Sequence, residues 1–176
     1  MSDARTSSET TPGYRIDWLS AQMHSVGQLA AWHYDAFHHC VPDWSLSQAA
    51  AELAAHRPQS VPSTLVAISA ADELLGSVSL LAEDPPGGAE LGPWLASFYV
   101  RADQRGRGIG AALMQRARAE AHALGHAHLH LWTLEQSSYY ERHGWERVGL
   151  LQLPPGLAVV MRARTEAPVN VAPVTR

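Results

Sequence analysis

The sequence predicts an α/β (α+β) domain built on a mixed, mostly antiparallel sheet of about seven strands with helices on both faces. Two observations lead to this fold class. Three apolar segments separated only by short loops come directly before a glycine-rich loop, which is typical of antiparallel strands. After that loop, a helical pattern leads into one further apolar strand, which is typical of a parallel crossover.

Length and composition favour a single domain. The 176 residues are 46% hydrophobic and 17% charged, which is enough apolar sequence for a sizeable core. We expect one domain over residues 13–164, between flexible tails at residues 1–12 and 165–176. Both ends are rich in small polar residues or proline and lack the periodicity of a helix or strand.

Charge and cysteine content limit the partners and the compartment. The formal net charge of −4 argues against a general nucleic-acid partner. No apolar run is long enough to span a membrane, and the first residues lack a signal-peptide pattern, so we expect no membrane partner. The single cysteine, Cys40, fits a reducing compartment. We therefore expect a cytoplasmic protein.

The chain before the glycine-rich loop predicts four strands and two helices. Apolar residues recur at helical spacing between Ser25 and His39, and Ser45 with Gln48 forms a capping box at the start of a second helix. Alternating or continuous apolar runs predict the strands. In chain order, the elements are a strand over 14–19, helices over 25–39 and 45–55, and strands over 64–69, 74–81 and 94–100.

A glycine-rich loop joins the strand that ends at Val100 to the next helix. Gly106, Gly108 and Gly110 alternate with larger residues, and glycine lets successive backbone N–H groups turn toward one point. The helix behind the loop, which Gly125 ends as a C′ residue, adds the partial positive charge of its N-terminus. The loop therefore predicts a cradle for a phosphate group.

The same glycines also fit the dinucleotide-binding fingerprint, with Gly106, Gly108 and Ala111 at its three positions and Glu135 near the end of the following strand. The order of elements argues against this alternative. A doubly wound sheet alternates strand and helix from its start, whereas here several strands joined by short loops come first. Only about 65 residues follow the loop, too few for the second half of such a fold.

The last part of the chain predicts three strands and a short helix. Ser138 with Glu141 forms a second capping box, so we expect the short helix to begin there and to end at Gly144. The first of the three strands runs parallel to the strand before the glycine-rich loop, by the right-handed crossover rule. The elements are a strand over 127–134, a helix over 138–143, and strands over 145–149 and 158–164.

Two motifs in this order resemble the GCN5-related N-acetyltransferase (GNAT) superfamily. The first is the segment Arg105-Gly106-Arg107-Gly108-Ile109-Gly110 after a strand ending Phe98-Tyr99-Val100, which looks like the Arg/Gln-x-x-Gly-x-Gly/Ala motif of that superfamily. The second is Tyr139-Tyr140-Glu141-Arg142-His143-Gly144-Trp145, which is similar to the Phe-Tyr-Glu-Lys-x-Gly-Phe segment late in that fold. Together the motifs span about residues 94–148.

The resemblance implies acetyl-CoA as the acyl donor and assigns roles to particular residues. The two parallel strands would splay apart, and the backbone of Phe98 and Val100 would bond the acetyl and pantetheine groups, with the Phe98 N–H as the oxyanion donor. Tyr140 stands at the position of the superfamily's tyrosine general acid, and a phenol with a pKa near about 10 stays protonated at neutral pH. The coenzyme A-binding residues implied are Phe98, Tyr99, Val100, Arg105, Gly106, Arg107, Gly108, Ile109, Gly110 and Ala111.

The resemblance leaves the general base open, because Trp94 lies near the position where some members carry a catalytic glutamate. Three acidic residues flank the hairpin that enters the central strand, namely Glu83, Asp84 and Glu90. Glu83 is the residue we select. We expect no metal ion, because the row of His126, His128 and His130 has no carboxylate or cysteine at a ligand spacing.

These inferences predict an N-acetyltransferase that transfers acetyl from acetyl-CoA directly to a primary amine, of a small molecule rather than a protein. Acetyl transfer from a thioester needs a held donor, a neutral amine and stabilisation of the oxyanion and departing thiolate. Two alternatives stay open: a non-catalytic coenzyme A-binding sensor module, and a peptide N-terminal acetyltransferase. The sequence also leaves room for a homodimer.

Overall fold

The computed structural model describes residues 13–167. The predicted N-terminal tail and residues 168–176 lie outside this range. Residues 165–167 belong to the body of the domain, because Thr165 is buried with its N–H bonded to the Ala127 carbonyl at 3.1 Å and Glu166 pairs with Arg118 at 2.7 Å. In the described range, no helix has both the length and the apolar character needed to cross a membrane.

Eleven helices and strands confirm the predicted order of elements, with ends that differ by a few residues. The order is β1 (Tyr14–Trp18), α1 (Val26–Phe37), α2 (Leu46–Ala55), β2 (Ser63–Ser69), β3 (Leu74–Leu81), β4 (Trp94–Val100), α3 (Ile109–Ala123), β5 (His128–Thr133), α4 (Ser137–Glu141), β6 (Glu146–Leu153) and β7 (Gly156–Arg164).

The strands form one open sheet of seven strands in the order β1-β2-β3-β4-β5-β7-β6. Every neighbouring pair is antiparallel except β4 and β5, which are parallel. The predicted mixed, mostly antiparallel sheet is therefore confirmed. A doubly wound sheet would need successive parallel pairs, so this topology does not fit the dinucleotide-binding alternative.

Helices cover both faces of the sheet, as predicted. On one face α3 buries Ile109, Leu113 and Ala117 against strand residues such as Leu129 and Met161. On the other face α1 and α2 close a smaller apolar cluster, formed by Leu19, Val26, Leu29, Ala30, Ala49, Leu53, Val66, Ile68 and Leu74. Burial of apolar area on both faces is the main stabilising contribution to the fold.

Two predicted helix ends have the expected geometry. Ser45 caps α2 with both capping-box hydrogen bonds, since its hydroxyl accepts from the Gln48 N–H at 3.2 Å and its own N–H donates to the Gln48 side chain at 2.8 Å. At the end of α3, Gly125 has φ +86°, and the His126 N–H reaches back to the Ala121 carbonyl at 3.0 Å. This is a Schellman motif, which glycine stabilises because it has no Cβ.

The second predicted capping box is wrong. The helix α4 begins at Ser137, one residue earlier than expected, which places Ser138 inside its first turn. Instead, the Thr133 hydroxyl at the end of β5 accepts from the Gln136 N–H at 3.0 Å. Glu141 pairs with Arg147 of β6 at 2.6 Å and is therefore engaged away from the helix start. The positive φ of Gly144, +82°, confirms the predicted end of this segment.

Two buried histidines form hydrogen bonds between the α1–α2 pair and the sheet. His33 of α1 bonds the Ser77 hydroxyl at 2.8 Å, and His56, after α2, bonds the Thr64 hydroxyl at 2.7 Å. The Thr64 hydroxyl in turn bonds the Ser79 hydroxyl at 2.8 Å. Burial lowers the pKa of both imidazoles to about 4, so both rings are neutral near neutral pH.

Candidate active site

The two parallel strands pair only where they begin. Trp94 lies opposite His130, whose N–H donates to the Pro93 carbonyl at 3.2 Å, and this is the one register pair between β4 and β5 in the described chain. The remaining six residues of β4 have no partner strand on that side. The sheet is therefore open between the carboxyl ends of β4 and β5, where open α/β sheets bind ligands.

A β-bulge directs the backbone of β4 into this opening. Ala96 lies opposite Ser79 and Tyr99 lies opposite Ser77, so β4 carries one residue more than β3 between these pairs. Ser97 in the bulge has φ +47°, and its carbonyl accepts from the Ser77 hydroxyl at 3.4 Å. The extra residue bends the strand and re-aims the residues that follow.

Strand alternation shows which backbone groups face the opening. The Arg101 N–H bonds the Leu75 carbonyl of β3 at 2.9 Å, and Tyr99 is also paired with β3. Because backbone groups alternate along a strand, those of Phe98 and Val100 point to the other side, toward β5. These are the two residues that the resemblance to the GNAT superfamily assigns to the acetyl and pantetheine groups.

The glycine-rich loop lies beyond the end of β4 and exposes the N-terminus of α3. The first hydrogen bond of the helix joins the Ala112 N–H to the Gly108 carbonyl at 3.0 Å, so the N–H groups of Ile109, Gly110 and Ala111 have no helical acceptor. Gly106 and Gly108 have φ of +75° and +79°, and a Cβ at either would meet nothing within 4 Å. The loop is an open, uncapped cradle of N–H donors, which fits a phosphate or pyrophosphate group.

Gly108→Ala is expected to lower the free energy of unfolding by about 1 kcal/mol, because an L side chain at this left-handed φ is strained. Gly27→Ala is the matched control, since Gly27 lies in α1 with no strained φ and open space around its Cβ position. It is expected to raise stability by about 0.5 kcal/mol through helix propensity. Urea unfolding at neutral pH measures both changes, and equal shifts for the two variants would contradict the role of φ.

Gly110 is required for a different reason, which is close packing behind the cradle. A Cβ at this position would lie 3.0 Å from the Tyr139 hydroxyl oxygen and 3.2 Å from Cζ of Phe98. The absence of a side chain lets the first turn of α3 approach both β4 and α4. The loop, the bulged strand and α4 therefore meet at one place.

A cleft of about 550 Å³ lies in the opening, on the side of the sheet covered by α1 and α2. Phe98 and Tyr140 line it together, with their ring centroids 6.3 Å apart. Burial raises the pKa of the Tyr140 phenol, and the neighbouring Tyr139 raises it further. The hydroxyl is therefore protonated at every physiological pH, as a proton donor must be.

The structure brings most of the predicted cofactor residues together but not Tyr99. Its backbone pairs with Ser77 of β3, and its ring packs against Trp32 of α1 with centroids 5.4 Å apart. It contributes to the packing between α1 and the sheet and does not face the opening. Arg105 lies at the rim of the opening, where its Nε donates to the Val100 carbonyl at 3.0 Å.

The candidate base Glu83 does not line the cleft that holds Tyr140. It is exposed, its carboxylate accepts a hydrogen bond from the Gly87 N–H, and it lines an adjoining cavity of about 330 Å³ under α2. The next residue, Asp84, lines the cleft itself. Burial raises the pKa of Asp84 from its ordinary value of 3.8 to about 6, and the indole N–H of Trp132 offsets part of the rise.

The cleft is acidic. The side chains that line it include Glu52, Asp84 and Glu135 and, within residues 13–167, no arginine. The chain has thirteen arginines and no lysine, so no lysine lines it either. A pocket with carboxylates and no fixed cation attracts an ammonium group. In the described range, no group of three or more histidine, cysteine or acidic side chains is placed to hold a metal ion.

Comparison with known proteins supports the fold and matches part of the chain to a family model. Residues 62–147 match the family model described as acetyltransferase (GNAT) domain. A crystal structure of aminoglycoside 6'-N-acetyltransferase complexed with coenzyme A superposes with a TM-score of 0.69, at 17% identity over 86% of this chain and 97% of that chain. A GCN5-related N-acetyltransferase from Kribbella flavida superposes with a TM-score of 0.65, at 20% identity over 86% of this chain and 98% of that chain.

A spermidine N-acetyltransferase chimera that includes Vibrio cholerae sequence superposes with a TM-score of 0.66, at 14% identity over 87% of this chain and 96% of that chain. A search of curated protein sequences finds no significant match. The family match and the shared fold support an acyl-CoA-dependent N-acetyltransferase. The match to the GNAT domain spans residues 62–147, slightly less than half of the chain.

Proposed function

We propose that the protein transfers an acetyl group from acetyl-CoA directly to a primary amine of a small molecule. The observation that carries this proposal is the convergence of three features at one opening in the sheet. The Phe98 backbone, the Tyr140 side chain and the uncapped N-terminus of α3 all border it. Each supplies one requirement of acyl transfer to an amine.

Coenzyme A fits the donor side of this site on chemical grounds. Its pyrophosphate suits the N–H groups of residues 109–111, which have no acceptor in the helix and no capping side chain. Its pantetheine arm is a chain of amides, which suits the unpaired backbone edge of β4 at Phe98 and Val100. When bound, acetyl-CoA supplies an acyl group activated as a thioester.

The residues of the chain then have separate tasks at the reacting atoms. The Phe98 N–H, held by the bulge, donates to the oxygen on which negative charge develops. The Tyr140 hydroxyl gives its proton to the departing sulfur, and its raised pKa ensures that the proton is present. The acidic cleft holds the amine as it approaches.

The size and charge of the cleft support a small, cationic acceptor. About 550 Å³ suits a small molecule, and carboxylates without neighbouring arginines favour a protonated amine over an acceptor that carries its own carboxylate. Two of the similar structures are named for acetylation of aminoglycosides and spermidine, which are cationic amines. We therefore propose a cationic small molecule rather than a peptide N-terminus as the acceptor.

Thermal unfolding with added ligands tests the donor. At about a hundred times the dissociation constant, acetyl-CoA or coenzyme A should add about 2.7 kcal/mol to the free energy of unfolding. NAD at the same concentration should add nothing, because the fold is not the dinucleotide-binding fold. Stabilisation by NAD alone, or by none of the three, would overturn the proposed donor.

Release of free thiol from acetyl-CoA in the presence of an amine panel tests the reaction. The panel contains cationic diamines, amino sugars, amino acids and a peptide with a free N-terminus. We expect turnover with the first two classes. Binding of coenzyme A without thiol release for any amine would favour a sensor module instead, whereas turnover of the peptide alone would favour an N-terminal acetyltransferase.

A further inference from the structure

Asp84 is a half-buried acid in the wall of the active-site cleft. It follows β3 by three residues and lines the same cleft as Phe98 and Tyr140. Its neighbour Glu83 is exposed, accepts from the Gly87 N–H and lines the other cavity. Of the two adjacent acids, only Asp84 is placed where an amine would meet the acyl group.

The surroundings of Asp84 leave its charge without a fixed counterion. Five other titratable side chains line the cleft within residues 13–167. They are His39 and Cys40 in the turn after α1, Glu52 in α2, Glu135 in the turn after β5, and Tyr140 in α4. None of them carries a permanent positive charge. Burial raises the pKa of the Cys40 thiol, and the negative charge of Asp84, which lines the same cleft, raises it further.

Trp132 lines the cleft together with Asp84 and carries an indole N–H donor. The indole nitrogen of Trp132 is buried and has no hydrogen-bond partner of ordinary geometry among residues 13–167. The same indole N–H lowers the pKa of the Asp84 carboxyl group in part. Burial holds the pKa of the Asp84 carboxyl group at about 6, so its protonation state changes within the pH range in which enzymes work.

We propose that Asp84 is the general base that removes a proton from the acceptor ammonium group, directly or through one water molecule. This inference rests on the proposed acetyl transfer and adds to it the residue that prepares the nucleophile. The exposed acids Glu52 and Glu135 share the cleft, and their role in this scheme is to attract the cation.

The protons balance in this scheme. Asp84 takes one proton from R–NH3+ and passes it to solvent, which leaves a neutral amine with a free electron pair. That pair forms the C–N bond while the C–S bond of the thioester breaks, and the sulfur takes the proton of Tyr140. Tyr140 regains a proton from the nitrogen. The sum is an amide, a free thiol and one released proton.

Kinetics of Asp84→Asn test the assignment. We expect kcat at saturating amine to fall by at least about tenfold at pH 7, with coenzyme A stabilisation unchanged. In the wild type, kcat/KM should fall as pH drops through about 6, the pKa of Asp84 in the free enzyme, and this limb should be absent from the residual activity of the variant. Asp84→Glu should recover part of the rate, because it restores a carboxylate.

Two further variants serve as controls. Asp35→Asn changes an exposed acid on α1 outside the cleft and should leave kcat and its pH profile unchanged. Glu83→Gln tests the neighbouring acid. A larger loss for Glu83→Gln than for Asp84→Asn, or an unchanged pH profile in Asp84→Asn, would overturn the assignment.

A measurement without substrate gives an independent test. Because burial raises the pKa of Asp84, its ionised form costs the folded protein stability above pH 6. Asp84→Asn should therefore raise the melting temperature at pH 8 and not at pH 4, while it lowers activity. A lower melting temperature at pH 8 would overturn the burial argument.

The inference and the proposed function fail in different ways. If the wild type releases no thiol with any amine, the proposed transfer fails, and the general base fails with it. If the wild type is active and Asp84→Asn keeps the wild-type rate, the base alone is overturned and the transfer stands.

Discussion

Tyr140→Phe is expected to lower kcat for acetyl transfer by at least about tenfold while the dissociation constant for coenzyme A stays nearly unchanged. The substitution removes only the phenolic oxygen, so the ring keeps its contacts with Phe98 and with Trp145, at centroid distances of 6.3 and 6.0 Å. The departing sulfur then loses the phenolic proton that the proposed mechanism assigns to it. Steady-state thiol release, with binding measured by thermal unfolding, separates the two effects.

Tyr139→Phe is the matched control for this experiment. Tyr139 is adjacent in sequence, but its hydroxyl points toward Gly110 at the start of α3 and does not line the cleft. Its removal should therefore leave kcat close to the wild-type value. Equal rates in wild type and Tyr140→Phe would remove Tyr140 from the mechanism, and a greater loss in Tyr139→Phe would exchange the roles of the two tyrosines.

The protein is expected to lose about 2 kcal/mol of stability between pH 7 and pH 5 through its buried histidines. In the folded state the pKa values of His33 and His56 are about 4, compared with an ordinary value of 6.5. The unfolded chain therefore binds more protons than the folded chain between these values. Their contribution to stability is complete above pH 6.5 and is lost as pH falls toward 4.

Asp84 acts in the opposite direction and reduces the net effect. Its pKa of about 6 in the folded protein exceeds the ordinary 3.8, so the folded state binds the additional proton as pH falls through this window. Two histidines outweigh one aspartate, so the net change is still a loss of stability as pH falls. The value of about 2 kcal/mol is this net change.

Urea unfolding of wild type and of a double variant at pH 7 and pH 5 measures this effect. His33→Gln keeps a hydrogen-bonding atom near the Nε2 position that bonds Ser77, and His56→Asn keeps one near the Nδ1 position that bonds Thr64. Neither replacement titrates. The double variant should lose much less stability between the two pH values, and a loss equal to that of the wild type would assign acid sensitivity to other groups.

Much of the fold could be predicted because its signals are local. The capping box of Ser45 and Gln48, the C-terminal Gly125 and the short loops between strands each act over a few residues, and each is confirmed. The same local pattern was misleading at Ser138, because Glu141 is paired with Arg147 across to β6. A contact formed by a later strand overrides a cap that the sequence alone favours.

The arrangement of the site depended on contacts that sequence patterns do not carry. Glu83 and Asp84 are adjacent and chemically alike, and only the path of the loop after β3 places one in each cavity. The bulge at Ser97 has no signal either, since serine is not a typical residue for φ +47°. It is supported from α1, where His33 bonds Ser77, and these two residues are far apart in sequence.

The helices α1 and α2, which line the cleft, belong to one connecting segment between β1 and β2 (residues 19–62). This segment, called the excursion below, leaves the sheet and returns to it at neighbouring points. Trp18 at the end of β1 lies opposite Leu65 of β2, so the segment between them, which includes α1 and α2, starts and finishes at neighbouring points. The match to the GNAT family model begins at residue 62 and therefore leaves out all but the last residue of this excursion. The excursion also supports the donor strand, because His33 bonds Ser77 beside the bulge and Trp32 packs against Tyr99 of β4. An exchange of the excursion would therefore have to keep these two contacts if only the acceptor side of the cleft is to change.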